Sequence, residues 1–197
     1  PFVETICLIN GNFRNLHYHK RRLNHTRKMN FDAKHFIDLE DRILIPEEFK
    51  TGKVKVRVLY TDEIIDIQFS TYQNIEINTL KTVEINPDFD YQFKSTQRKY
   101  FADLLSQHQE NDLLLVKDNF ITDSTFTNLI FSDGNQWFTP QNCLLEGCMR
   151  QHLLDQGKII STLIALEDLP QFKSFKRINA MMDFDEAPEL PISAISV

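Results

Sequence analysis

The sequence predicts an α+β protein folded as two units joined by a short linker. Three observations carry that expectation. Residues 53–60 (KVKVRVLY) and 63–73 (EIIDIQFSTYQ) alternate apolar with polar side chains at period 2, as half-buried antiparallel strands do. Residues 98–109 place Tyr100, Phe101, Leu104 and Leu105 on one side of a helix. Between these halves Asn86-Pro87-Asp88-Phe89-Asp90 breaks the pattern, which sets one domain over 1–85, a linker over 86–92 and a second domain over 93–197.

The elements follow in order. Residues 2–9 (FVETICLI) form an apolar strand with Glu4 and Thr5 as its polar members, and Asn10-Gly11 signals a hairpin. Residues 16–30 form a basic helix with Leu16, Leu23 and Met29 as apolar contacts and His19 and Arg22 on one face. His17 and His19 lack a third clustered ligand, so no metal site is read there. Residues 36–49 suggest a second helix ending near Pro46, and 82–85 a third strand of the first half. Strands then follow at 112–117, 120–122, 127–132 and 136–139. Gly147 opens a helix over 148–155 that Gly157 ends. A strand at 158–165, a short helix at 166–172, a strand at 177–182 and a surface tail from 186 complete the reading.

Composition narrows the function. Twenty-eight acids against 22 bases leave a net charge of −6, which argues against a surface that tracks a nucleic-acid backbone. A local basic pocket for a small anion remains compatible with it. No stretch approaches the ~18 apolar residues of a membrane helix, and Pro1 to Thr5 carry no basic leader region. Cys7, Cys143 and Cys148 form no CxxC pair, so a reducing, cytoplasmic setting is expected.

The order of the chemistry-bearing motifs points further. Glu4-Thr5-Ile6 and His19-Lys20-Arg21-Arg22-Leu23 come first, then Lys94. The turn from Asp123 to Asn128, Gly147-Cys148-Met149-Arg150 and Ile178-Asn179-Ala180-Met181 follow. In this order they resemble the class IV aminotransferases, pyridoxal 5′-phosphate enzymes of fold type IV. That group includes branched-chain and D-amino acid aminotransferases and 4-amino-4-deoxychorismate lyase. The resemblance implies a two-domain, D-amino acid aminotransferase-like fold, pyridoxal 5′-phosphate as cofactor, a small-molecule amino substrate and a homodimer.

It also implies roles. Lys94 matches the lysine that condenses with the cofactor aldehyde and then moves protons, which only an amine can do. Asp123 stands where the family usually has glutamate, keeping the pyridine nitrogen protonated, with Asn128 fixing the turn that aims it. Arg22 and the backbone N–H groups of Cys148 and Met149 would hold the phosphate at a helix start. Met149 replaces a frequent threonine, so one hydroxyl contact is lost. Asn179 falls at a second phosphate-binding position, and Ala180 where a backbone N–H meets cofactor or substrate carboxylate.

Lyase and transaminase share their first steps. Thr5, where the lyases carry a threonine near the leaving group, favours the lyase, which yields pyruvate and the folate precursor 4-aminobenzoate. Gly147-Cys148-Met149-Arg150-Gln151 also resembles the lyase form of the phosphate helix. Cys7 stands where the family often has a carboxylate-binding arginine, which makes Arg98 the candidate for that contact. An amino acid transaminase is the second reading. A cofactor-less interaction protein is the third, and the retention of Lys94 with Asp123 speaks against it.

Overall fold

A computed structural model of the chain describes residues 1–73 and 76–197, in two compact units. The first comprises residues 1–73 together with Phe93–Gln97; the second comprises residues 76–92 and Arg98–Val197.

In the first unit, β1 (Phe2–Ile9) turns through Asn10 (φ 47°) and Gly11 (φ 78°) into β2 (Asn12–Phe13). Both turn residues are left-handed, as a two-residue primed turn demands, which is why Asn-Gly sits there. Helix α1 (Leu16–Phe31) follows, then a single helical turn, α2 (Leu39–Arg42), and strands β3 (Lys53–Tyr60) and β4 (Ile64–Thr71). The sheet order is β2-β1-β3-β4, antiparallel throughout. Ile6 and Leu8 of β1 and Val54, Val56, Val58 and Tyr60 of β3 share one face and bury it with Leu16 and Leu23 of α1. Each such side chain contributes roughly 1.5–3 kcal/mol of burial.

Two expectations shift here. Met29 is 60% exposed and contributes nothing to this core. The helix read over 36–49 shrinks to α2, because Ile43 and the residue before Pro46 favour extended backbone; a 3₁₀ turn at Glu47–Phe49 is all that follows.

In the second unit, β5 (Leu80–Glu84), α3 (Lys99–Ser106), β6 (Leu113–Lys117) and β7 (Phe120–Ser124) come first. They are followed by β8 (Asn128–Ser132), β9 (Trp137–Pro140), α4 (Cys148–Asp155) and β10 (Ile160–Thr162). Then β11 (Ser174–Ile178), β12 (Glu189–Pro191) and β13 (Ile195–Ser196) close the chain. They form two sheets, β13-β5-β6-β7 and β10-β9-β8-β11-β12.

Strand β6 is buried on both faces: Leu114 and Val116 enter one core with Leu129 and Phe131 of β8, while Leu113 and Leu115 enter another with Phe101 and Tyr91. Such strands read as unbroken apolar runs rather than alternations.

The unit boundary differs from the expected 86–92 linker. β5 pairs in parallel with β6, so it belongs to the second unit, and Phe93–Gln97 returns to the first. A short strand carries no mark of which sheet it will join. The tail is a further difference: β12 pairs with β11 and β13 pairs with β5, so it is built into both sheets.

Candidate functional site

The first unit brings Lys94 and Thr5 onto one edge. Val3 N–H donates to Lys94 O (3.0 Å), Phe2 bridges to Ser95, and Thr96 N–H donates to Pro1 O (3.1 Å). The segment carrying Lys94 thus lies along the edge of β1 that β3 leaves open. The rings of Phe2 and His25 pack on Phe93 and fix the start of that segment. Thr5 projects from β1 on the face shared by Val3 and Cys7, opposite Glu4, Ile6 and Leu8.

Glu4 is fully buried and collects hydrogen-bond donors from α1. Arg22 donates from Nε to Oε1 (2.9 Å) and from Nη2 to Oε2 (2.6 Å), and His19 Nδ1 donates to Oε2 (2.6 Å). Burial by itself would raise the Glu4 pKa, but the Arg22 charge and the hydrogen bonds from Arg22 and His19 outweigh it and hold the carboxyl at about 2. Arg22, expected at the phosphate, is oriented by this bidentate pair. Sequence reading singled out Arg22 but not its partner; a lone acid in an apolar strand before a basic helix was the available signal.

In the second unit, β7 carries Asp123 and β8 begins at Asn128. Asn128 Nδ2 donates to Asp123 Oδ1 (2.7 Å) and to Leu145 O (2.8 Å), and Leu145 N–H donates to Asp123 Oδ2 (3.0 Å). Asn128 therefore holds one oxygen of Asp123 and ties it to the backbone at Leu145. The turn between them is closed by Ser124 and Thr127, whose hydroxyls are 2.7 Å apart. Burial pushes the Asp123 pKa up; donors from Leu145 and Asn128 and the Arg150 charge only partly offset it, leaving about 6. Among the described residues Asp123 has no ion-pair partner within salt-bridge distance.

Helix α4 starts at Cys148 behind Gly147, presenting its first N–H groups there. The Met149 side chain packs with Ile130, Leu153 and Ile178, so only its backbone can serve an anion. The strand expected over 177–182 ends at Ile178. Asn179 instead closes a turn: its carbonyl accepts from Met182 N–H (3.1 Å) and its Oδ1 from Met181 N–H (2.9 Å), with Ala180 in the turn.

Arg98, expected to meet a substrate carboxylate, is committed elsewhere. Its Nη1 donates to Tyr91 Oη (3.0 Å), its Nη2 to Thr125 O, and its guanidinium lies over the Phe101 ring. It pins α3 to the 124–127 turn. The Cys143 thiol is pushed up to about 12, by burial first and then by the Asp123 charge, which favours the protonated thiol. Arg150 was missed as a contributor to the field at Asp123. Its Nη2 donates to Pro140 O (3.0 Å) and Ser161 Oγ (3.2 Å).

Comparison with known proteins places these residues in context. Residues 2–185 match the family model described as amino-transferase class IV. An uncharacterized protein of Haemophilus influenzae is 32% identical over 184 residues, covering 92% of this chain and 97% of its own length. A Haemophilus somnus crystal structure, provisionally named a 4-amino-4-deoxychorismate lyase, is 31% identical with a TM-score of 0.85. It covers 92% of this chain and 96% of its own. A hypothetical aminotransferase of Mycobacterium tuberculosis in its PLP-bound form shares the fold at 13% identity and a TM-score of 0.74, over 96% of this chain and 79% of its own.

Proposed function

The chain belongs to the amino-transferase class IV family, a group of pyridoxal 5′-phosphate-dependent enzymes, and from that premise we propose that it is a lyase acting on 4-amino-4-deoxychorismate. The products are pyruvate and 4-aminobenzoate. The observation that carries the cofactor assignment is the Asp123 carboxyl: buried, anchored by two donors, and without a contacting cation. A protonated ring nitrogen supplies the missing positive charge, so the donor set fits the cofactor. The likeness to the Haemophilus somnus protein, over nearly the whole of both chains, favours the lyase over the transaminase.

Lys94 would hold the cofactor aldehyde, Asp123 the ring nitrogen, and Arg22 with the backbone N–H groups of Cys148 and Met149 the phosphate. Asn179 and Ala180 would add polar contacts. When bound, the cofactor supplies an electron sink for the pair left behind by a departing proton. Lys94 Nζ takes that proton from the substrate carbon bearing the amine. Thr5 Oγ1 hydrogen-bonds the enolpyruvyl group and, as the ring C–O bond breaks, relays to it the proton that Lys94 took, so that both side chains end as they began. Glu4 acts indirectly, keeping Arg22 oriented and charged. We place the enzyme in the cytoplasm as a homodimer, which a sedimentation mass of a single chain would overturn.

Coupled detection of pyruvate tests the reaction. Release of pyruvate from 4-amino-4-deoxychorismate, lost in Lys94→Ala, is the expected result. Conversion of amino acids with 2-oxoglutarate and no pyruvate release would make the protein a transaminase. A protein that takes up pyridoxal phosphate without visible absorbance sensitive to borohydride would sink both readings.

A further inference from the structure

Asp123 and Asn128 belong to different sheets of the second unit. Asp123 sits on β7, in the sheet β13-β5-β6-β7; Asn128 opens β8 and Asn179 follows β11, both in the sheet β10-β9-β8-β11-β12. The register sets Ile178, the last residue of β11, across from Asn128, the first of β8. The turn that enters β8 and the turn that leaves β11 therefore lie side by side at one end of that sheet. Between the two sheets, Leu114, Val116 and Ile121 pack with Leu129, Phe131 and Phe175 in one apolar core. Apolar contacts are non-directional, so such a core by itself leaves the sheets free to slip. Any slip changes the spacing of Asp123 from Asn128 and Asn179.

A polar cluster crosses from one sheet to the other at that end. Asp112, the residue before β6, is fully buried. Its Oδ1 accepts from the Thr125 N–H (2.9 Å) and from the Thr125 hydroxyl, while its Oδ2 accepts from Arg177 Nη1 (3.3 Å). Arg177 lies on β11, just before Ile178 and Asn179, and is itself buried; its Nη2 reaches Ile77 O at 3.5 Å. Thr125 sits between β7 and β8, where the chain passes from sheet to sheet, and is 2% exposed. Its carbonyl accepts from Arg98 Nη2, so its N–H, hydroxyl and carbonyl are all held from outside the turn. Bonds to a buried carboxylate are directional and strong, and they supply the registry that the apolar core does not.

We propose that Thr125 is a positioning residue: its hydroxyl closes a clamp, Thr125–Asp112–Arg177, that fixes one sheet against the other and so sets Asp123 relative to Asn128 and Asn179. The use of the clamp rests on the cofactor reading above; its existence rests on the hydrogen bonds alone. In that reading the ring nitrogen is held from one sheet by Asp123, and Asn179 contributes from the other. A rigid aromatic ring spanning the two tolerates little slip, and supporting bonds of this kind are what hold contacting groups in place. Thr125 acts through Asp123 and through β11, with no contact of its own to cofactor or substrate required.

Amide exchange in the full chain, freed of cofactor, tests the clamp. Met181 N–H, bonded to Asn179 Oδ1, and Met182 N–H, bonded to Asn179 O, report on the far turn. Thr125→Val keeps the shape and drops the hydroxyl, Thr125→Ala does so without crowding, and Thr125→Ser keeps the hydroxyl. Thr139→Val, which loses a buried hydroxyl bond to Leu129 O, controls for general weakening. Exchange at Met181 and Met182 should quicken about tenfold in Thr125→Val and Thr125→Ala, and hold the parental rate in Thr125→Ser and Thr139→Val. Titration with pyridoxal phosphate and with its deaza analogue, which carries carbon at the ring-nitrogen position, then tests the positioning. The preference for pyridoxal phosphate should fall about tenfold in Thr125→Val and return in Thr125→Ser, a change that loosened packing alone does not produce. Unchanged exchange at both amides in the folded valine and alanine variants would overturn the clamp, and quickened exchange with an unchanged preference would overturn its hold on Asp123. Quickened exchange in variants of a protein that binds no pyridoxal phosphate would sink the cofactor reading and leave the clamp standing.

Discussion

Gly147 and Asn128 occupy one another's space: a Cβ at residue 147 would stand 1.9 Å from Asn128 Oδ1. The glycine is required here for close approach, not for its backbone angle, since φ is an ordinary −69°. Gly147→Ala must displace Asn128, which also releases its bonds to Asp123 and Leu145. A loss of about 1–3 kcal/mol in unfolding free energy is expected. Cofactor retention on dialysis should fall with it, and a variant that melts and retains cofactor like the parent would refute the link.

The two perturbed carboxyls act oppositely on stability. Asp123 goes from 3.8 to about 6 on folding, so the native state binds its proton more tightly; its contribution is full below pH 3.8 and is lost as pH rises through 6. Glu4 goes from 4.5 to about 2, so its contribution is full above pH 4.5 and is lost as pH falls through 2. Each spans up to about 3 kcal/mol. Urea unfolding of the cofactor-free protein should therefore weaken between pH 4 and 6, and Asp123→Asn should flatten that decline. Loading with pyridoxal phosphate should flatten it too, because a ring cation then favours the ionised acid.

Glu4→Gln leaves Arg22 facing a neutral amide in a buried site. Breaking one side of such a pair costs about 3–5 kcal/mol. Chemical denaturation of the cofactor-free variant checks this; a loss below 1 kcal/mol would mean that Arg22 swings to solvent.

Asp112 is the comparable hub of the second unit. Its Oδ1 accepts from Leu113 N–H (2.9 Å), Thr125 N–H (2.9 Å) and the Thr125 hydroxyl, and its Oδ2 from Arg177 Nη1 (3.3 Å). Asp112→Ala should cost about 3–5 kcal/mol and speed amide exchange at residues 124–127, the turn beyond Asp123. Exchange unchanged in that turn would show that Ser124 and Thr127 hold it unaided.

Where a signal is local, the sequence declared it. Asn10-Gly11, the alternation of β3, and the glycine-led α4 all lie where periodicity and turn chemistry put them. Asp123 and Asn128 were paired through the family resemblance, and the turn over 124–127 brings their side chains together. What stayed hidden was partnership across long separations. Glu4 finds Arg22, Leu145 finds Asp123, and β5 finds β6 rather than the first sheet. Arg98 looked available because a lone arginine after a lysine gives no hint that Tyr91 and Thr125 will claim it. Neither period nor propensity encodes such choices; they are settled by packing.

The return of Phe93–Gln97 to the first unit has a consequence for synthesis. A nascent chain can pair β1 with β3 once residue 60 has emerged, yet the edge of β1 beside Val3 stays open until Lys94 follows. During translation that edge is an unsatisfied strand, prone to pair with whatever extended segment comes first. The segment carrying Lys94 is thus the cap that closes the nascent sheet, and pausing of the ribosome before that segment emerges would favour misassembly of the first unit over any later step.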